Sequence, residues 1–296
     1  MRKNCTRNGL LVGVVILALL LVMLAVGCGN GETEESTTPA KTEGEYSGTV
    51  KASGSTTVLP LAQEAATGFM EDNPDATVEV QGGGSSTGIT QVKEGVVDIG
   101  NASRDLKDEE DDGALVDHKI AFDIIAVVVN PGVTVTDLTT DQVKGLFTGA
   151  IKNWSEVGGA DAEVVVVSRD QASGTREMFD QEALGSSKDA PVVPAESAIE
   201  TNSNGIMRET VASTANSIGY LSYGYINDSV KPVNYNGVEP TIENAKADTY
   251  PLARYLHMFT NGEPEGAVKG YIDYVLSDAF QTDVVSKDYI PISEVE

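Results

Sequence analysis

The sequence predicts an α/β fold with a mainly parallel sheet. Three observations carry that expectation. Strand-like and helix-like apolar patterns alternate along most of the chain. The joints between them are short turns rich in Ser, Thr and Gly. Residues 164–167 are four valines in a row, as in a strand buried on both faces.

The chain has 296 residues, room for two lobes or domains. It is 41% hydrophobic and 22% charged, which fits neither a disordered nor a multi-span membrane protein. A net charge of −25 argues against nucleic acid, whose phosphates need a basic footprint. It leaves a small anion possible, since local N–H and O–H donors can hold one. The two cysteines, Cys5 and Cys28, both precede the folded part, so no disulfide or thiolate metal site is expected there. His118 and His257 are far apart in sequence, which disfavours a zinc site, and no metal or cofactor is expected.

Arg2, Lys3 and Arg7 precede an apolar run at residues 10–26, then Gly27, Cys28 and polar sequence. This is the layout of a signal peptide over residues 1–27. Ala25-Val26-Gly27-Cys28 resembles a bacterial lipobox, with Ala25 where Leu is usual, and implies lipidation of Cys28. The alternative is a plain N-terminal anchor, because the run is at the lower limit for a span. Both readings place the rest of the chain outside the cytoplasmic membrane. Residues 28–48 read as a lipidated Cys and a flexible tether.

From residue 49 the elements follow in order. A strand at 49–53 leads through Gly54-Ser55-Thr56-Thr57 into a helix at 58–70, with apolar Leu59, Leu61, Ala62, Ala65, Ala66 and Phe69. A strand at 76–80 leads through the glycine- and serine-rich residues 81–88 into a short helix around Ile89 and Val92. A third strand, 96–100, ends in Asn101-Ala102-Ser103-Arg104. Residues 108–112 are an acidic solvated loop or helix start. Strand 120–130 stops at Pro131-Gly132, and helix 139–147 is capped by Thr139 or Thr140. The valine strand leads through Ser173-Gly174-Thr175 into a helix at 175–184. A helix at 203–212, a Tyr-rich strand at 219–226, a strand at 249–258, and helical sequence at 264–276 and near Phe280 complete the chain.

In open α/β sheets, ligands bind at the carboxyl ends of the strands, where these turns lie. A helix start favours an anion through its free N–H groups and partial positive charge. Ser173 and Thr175 add hydroxyls, Gly174 permits close backbone approach, and Arg169 offers a planar fork. Ser55-Thr56-Thr57, Ser85-Ser86-Thr87 and Arg104 extend the set. Each turn alone reads equally well as an ordinary N-cap; together they suit a tetrahedral oxyanion.

In these motifs the chain resembles the phosphate-binding proteins of Pst-type phosphate ABC transporters. The resemblance runs from about Thr49 to the C-terminus. It rests on residues 52–60, 82–88 and 98–104, on Asn153-Trp154, and on Arg169 with Ser173-Gly174-Thr175. It implies a two-lobed, periplasmic-binding-protein-like (type II) fold, each lobe a mainly parallel sheet flanked by helices, with the ligand in the cleft. Lobe 1 would span 49–127 plus 250–296 and lobe 2 would span 128–249, with strands 120–130 and 249–258 crossing between them. The implied function is non-enzymatic: a membrane-anchored receptor that captures inorganic phosphate for a transporter permease. The implied phosphate ligands are Thr56, the Thr57 backbone, Ser85, Arg169, Ser173, Gly174 and Thr175, with Ser103 and Arg104 beside them. Many relatives have an Asp at the position of Arg104, or of Ser103, that accepts the phosphate proton and rejects sulfate. Here Asp105 is the neighbouring candidate, or selectivity arises otherwise.

Other readings stay open at this point. The receptor could take another oxyanion, sulfate or molybdate. Residues 84–88 match G-x-S-x-G, which would make Ser86 the nucleophile of a hydrolase with His257 downstream. Trp154 and the tyrosines at 220–235 suit either sugar stacking or, more simply, a core. No P-loop motif is present, so nucleotide hydrolysis is not expected.

Overall fold

The computed structural model describes residues 44–295; the expected signal peptide, Cys28 and the tether up to residue 43 lie outside them. The strands are β1 (Gly48–Gly54), β2 (Ala76–Gly82), β3 (Ile99–Ala102), β4 (Leu115–Val129), β5 (Asp137–Leu138), β6 (Val165–Arg169), β7 (Ile199–Thr201), β8 (Ser217–Ser222), β9 (Lys231–Pro232), β10 (Asn234–Tyr235) and β11 (Ala253–Asn261). The main helices are α1 (Leu59–Asp72), α2 (Ser85–Lys93), α3 (Thr140–Thr148), α4 (Gly174–Glu182), α5 (Asn204–Ser213), α6 (Ile242–Lys246) and α7 (Gly266–Val275). No helix among the described residues is long and apolar enough to cross a membrane.

Local chemistry sets the boundaries. Pro60 in the first turn of α1 costs no helical hydrogen bond, and Leu61, Ala62, Ala65, Ala66 and Phe69 form its buried face. Thr139 and Gln142 close a capping box on α3, which ends at Gly149 in the left-handed region. Ser173 caps α4 by accepting the Arg176 N–H.

Three stretches depart from expectation. β3 starts only at Ile99, opposite Ala52 of β1, because Asp98 instead takes the Lys51 N–H with its side chain and Val96 is exposed. The Tyr-rich strand stops at Ser222, and Tyr223–Tyr225 is a 3-10 turn. The end of the expected tether is fastened: Tyr46 donates its N–H to Asn73 Oδ1 and packs its ring on Phe69.

One sheet runs in the order β2-β1-β3-β11-β4-β8-β6-β7, with β9 beside β4. Its two wings are parallel: β1 with β2 and β3, and β6 with β7 and β8. β4 and β11 lie antiparallel at the centre, with Arg254 opposite Asp123. A larger hydrophobic core gathers Ile124 to Val129 of β4 with Phe147, Trp154, Phe179 and Tyr220. A second gathers Val50, Phe69 and Ile99 with Ile120 and Ala121 of β4 and Leu256 and Met258 of β11. A small cluster under α2 holds Ile89, Val92, Ala102 and Phe259. β4 and the chain around β11 therefore pass from one large core to the other, near residues 121–124 and 252–256. Ile290 and Val295 return to the larger core, because Ile290 pairs with Phe122 at that changeover.

Candidate functional site

Strand ends from both wings deliver their turns to one place. β1 ends at Gly54, β2 at Gly82, and β6 at Arg169. Gly84 enters α2 at φ 90°, and a Cβ there would lie 2.6 Å from the Ala172 carbonyl oxygen. A glycine is thus required where the α2 and α4 turns touch, and Ser86 N–H donates to the Ala172 carbonyl at 3.1 Å.

The hydroxyls converge within this contact. Thr57 Oγ1 and Thr175 Oγ1 are 3.1 Å apart. Arg169 Nη2 donates to Thr56 Oγ1 at 3.3 Å. Ser85 Oγ lies 3.3 Å from Ser103 Oγ and accepts the Ser103 N–H at 3.0 Å. Gly174 sits directly on this pair: a Cβ would lie 2.3 Å from Ser85 Oγ and 3.0 Å from Ser103 Oγ. Ser173 Oγ takes the Arg176 N–H, which leaves the Gly174 and Thr175 N–H groups and its own proton for a ligand. Thr56, Thr57, Ser85, Ser103, Arg169, Ser173, Gly174 and Thr175 are therefore brought together, all buried. For Thr57 the expected backbone donor is engaged: its N–H bonds Ser55 Oγ, and its hydroxyl faces the cluster instead.

The structure adds four residues absent from the sequence expectation. Arg254 Nη2 donates to Thr175 Oγ1 at 2.9 Å and to Thr57 Oγ1 at 3.3 Å. The same nitrogen lies 3.0 Å from Asp123 Oδ2, forming an ion pair with side chains 2% and 0% exposed. Ser222 donates its hydroxyl proton to Asp123 Oδ1 at 2.7 Å. Asn204 Nδ2 donates to Thr57 Oγ1 at 3.0 Å and to Thr56 Oγ1 at 3.3 Å, while its Oδ1 accepts the Ser222 N–H.

Burial dominates the electrostatics. It pushes the Asp123 carboxyl above its ordinary range, with Arg254 and Ser222 opposing. It pulls both Arg169 and Arg254 below theirs, which Tyr220 and Asp123 respectively counter. Nε and Nη1 of Arg169 and of Arg254 are buried with no hydrogen-bond partner among the described residues. Tyr225, pushed up to about 12 by burial, stays a phenol and donates to the Thr56 carbonyl at 2.6 Å. The cluster thus holds two guanidiniums against one carboxylate, with several charged N–H donors unsatisfied.

Two expected residues lie elsewhere. Arg104, buried but bonded to none of the hydroxyls gathered above, is forked onto Glu110 at 2.7 and 2.8 Å and donates to Ser86 Oγ at 3.1 Å. Its place at a strand end left the direction of its side chain open, and Glu110 decides it. Asp105 is 85% exposed and faces His257 at 3.4 Å, so it cannot replace the missing acceptor. The hydrolase geometry is absent among the described residues. Ser86 meets Arg104 rather than an imidazole, and His257 Nδ1 is bonded to Asp117. Trp154 is a core residue whose Nε1 donates to the Asn216 carbonyl, which leaves no stacking face for a sugar.

Comparison with known proteins gives a consistent picture. Residues 37–279 match the family model described as a PBP superfamily domain. The phosphate-binding protein PstS of Bacillus subtilis (strain 168) is 40% identical over 291 residues, covering 96% of this chain and 94% of that protein. A substrate-binding protein from Clostridium perfringens, solved with bound phosphate, superposes with a TM-score of 0.78 at 37% identity, over 83% of this chain and 100% of that one. An ABC-type phosphate transport receptor from Vibrio cholerae superposes with a TM-score of 0.69 at 33% identity, over 82% of this chain and 100% of that one.

Proposed function

Because this chain belongs to the PBP superfamily and, within it, to the PstS-type phosphate-binding proteins, we propose that it captures inorganic phosphate for the permease of a phosphate ABC transporter. The observation that carries this reading is the pair of buried arginines, Arg169 and Arg254, set among the converging hydroxyls with N–H groups that have no partner among the described residues. A buried charge without full compensation is costly, and a small polyanion supplies what both lack. The proposed ligands are Thr56, Thr57, Ser85, Ser103, Arg169, Ser173, Gly174, Thr175, Asn204 and Arg254.

The two large cores would correspond to two lobes, joined by β4 and β11, that close over the anion. Donors come from both sides, so affinity depends on their meeting. Asp123 is the carboxylate tied to the donors, and it is our candidate acceptor for the proton that phosphate keeps and sulfate lacks. The chain would act as a binding protein without catalysis, outside the cytoplasmic membrane and anchored through acylated Cys28. The signal and lipobox patterns support that placement, and mass spectrometry of the mature N-terminus tests it: an unmodified Met1 start would refute it.

Isothermal titration with phosphate, sulfate, molybdate and a sugar panel tests the function. Phosphate should bind and the sugars should not. Equal binding of sulfate would reduce the assignment to a general oxyanion receptor, and no oxyanion binding would overturn it.

A further inference from the structure

Glu177 lies in the first turn of α4, the helix whose start carries Ser173, Gly174 and Thr175. Its carboxylate does not stay on its own wing. Glu177 Oε2 is 2.9 Å from Arg104 Nε and 3.1 Å from Lys107 Nζ, both on the segment that follows β3. Arg104 is 2% exposed and Glu177 20%, so the contact is shielded from solvent. Arg104 already has a complete carboxylate fork in Glu110, held by the Lys107 N–H as well. Burial raises the Glu110 carboxyl, but the Arg104 and Lys107 hydrogen bonds more than offset it, and Glu110 stays ionised. Of the carboxylates on their own segment, Glu110 is the one that pairs with Arg104, and Lys107 Nζ pairs with none of them among the described residues. Glu177, arriving from the opposite wing, is the carboxylate that reaches both cations.

We propose that Glu177 is a positioning residue for anion capture: its pairing with Arg104 and Lys107 clasps the start of α4 against the β3 wing and slows release of the bound anion. This rests on the phosphate-receptor reading above. The clasp joins the same two walls that supply Ser85 and Ser103 on one side and Gly174 and Thr175 on the other. Parting the walls must break it and leave opposite charges facing each other across a partly desolvated gap. The Arg104 contact is not aligned as a hydrogen bond. The clasp therefore depends on charge, and a neutral amide of the same shape should not replace it. It also predicts a kinetic asymmetry. On the hinge-closure reading above, the walls meet after the anion enters, so the clasp acts on departure more than on arrival.

The test is stopped-flow phosphate binding with wild type, Glu177→Gln, Lys107→Met and the double variant, at low and high salt. The dissociation rate of Glu177→Gln should rise about three- to tenfold, with association changed less than about twofold. High salt should shrink the difference, and Lys107→Met should add less in the Glu177→Gln background than alone. Melting of the phosphate-free protein should be unchanged, because the clasp stabilises the closed walls and not the fold. An unaltered dissociation rate, or an equal loss of stability with and without phosphate, would overturn the proposal. If wild type itself binds no phosphate, the receptor reading fails first and the clasp falls with it.

Discussion

Replacing Arg169 with Met should weaken phosphate binding without weakening the phosphate-free protein. Arg169 is 1% exposed, and among the described residues its only side-chain hydrogen bonds, to Thr56 Oγ1 and the Asn202 carbonyl, are both 3.3 Å long. Nε and Nη1 have no hydrogen-bond partner among the described residues. A hydrogen bond to a charged group is worth about 1.5–3 kcal/mol, or roughly 10- to 150-fold in affinity. One such bond to phosphate sets the expected loss; a second would add to it. The folded protein, in contrast, gains little from this charge, since burial already disfavours it. Met keeps the length and apolar packing of the arginine stem, so the melting temperature without ligand should hold or rise. Arg169→Lys restores a charge without the planar fork and should fall between the two. Calorimetry measures the affinity, and thermal melts with and without phosphate separate binding from folding, because a ligand stabilises only what binds it. Affinity within threefold of wild type would remove Arg169 from the site. A steep drop in ligand-free melting would show that its role is structural.

Arg254, unlike Arg169, should also be needed for the stability of the ligand-free protein. Arg254→Met leaves Asp123 buried and unpaired, at a cost of about 3–5 kcal/mol in stability by denaturant unfolding, and Arg254→Met with Asp123→Leu should recover much of it. Gly174→Ala should leave the ligand-free protein folded, since alanine favours a helix, yet weaken phosphate binding by about tenfold or more as donors lose contact. The reason is a Cβ that would lie 2.9 Å from Ser85 Cβ as well as 2.3 Å from its hydroxyl, and calorimetry reads the loss.

The turns that build the site are legible in the sequence because their chemistry is local. A strand, a Ser/Thr/Gly joint and a helix follow from neighbouring residues, and α/β topology places such joints together. Arg254 and Asp123 carry a weaker signal that was available: Asp123 is the one charged residue in the apolar part of β4 from Ile120 on, and Arg254 is the one Lys, Arg, Asp or Glu in β11. Buried charges come in pairs, so two such strands with opposite charges point to one another. Asn204 gives no comparable sign, since an Asn at a helix start is ordinary. The fate of Arg104 depends on Glu110 and Glu177, and Glu177 is 73 residues distant in sequence. Position at a strand end supplied its neighbourhood but not its direction. The short strands β5, β9 and β10 have only two residues each, too few for any periodicity to register.

An anion site inside a chain of net charge −25 is physically consistent once distances are considered. Salt screens charges on the surface beyond about 8–10 Å, whereas buried donors act at contact in a medium far less polar than water. Arg169 and Arg254 outweigh Asp123 where it counts, and Arg104 and Lys107 are balanced by Glu110 and Glu177 at the edge of the same contact. The acidic surface and the cationic interior are therefore independent features. Global charge governs what approaches the protein, and the arrangement of a few buried N–H and O–H groups governs what stays.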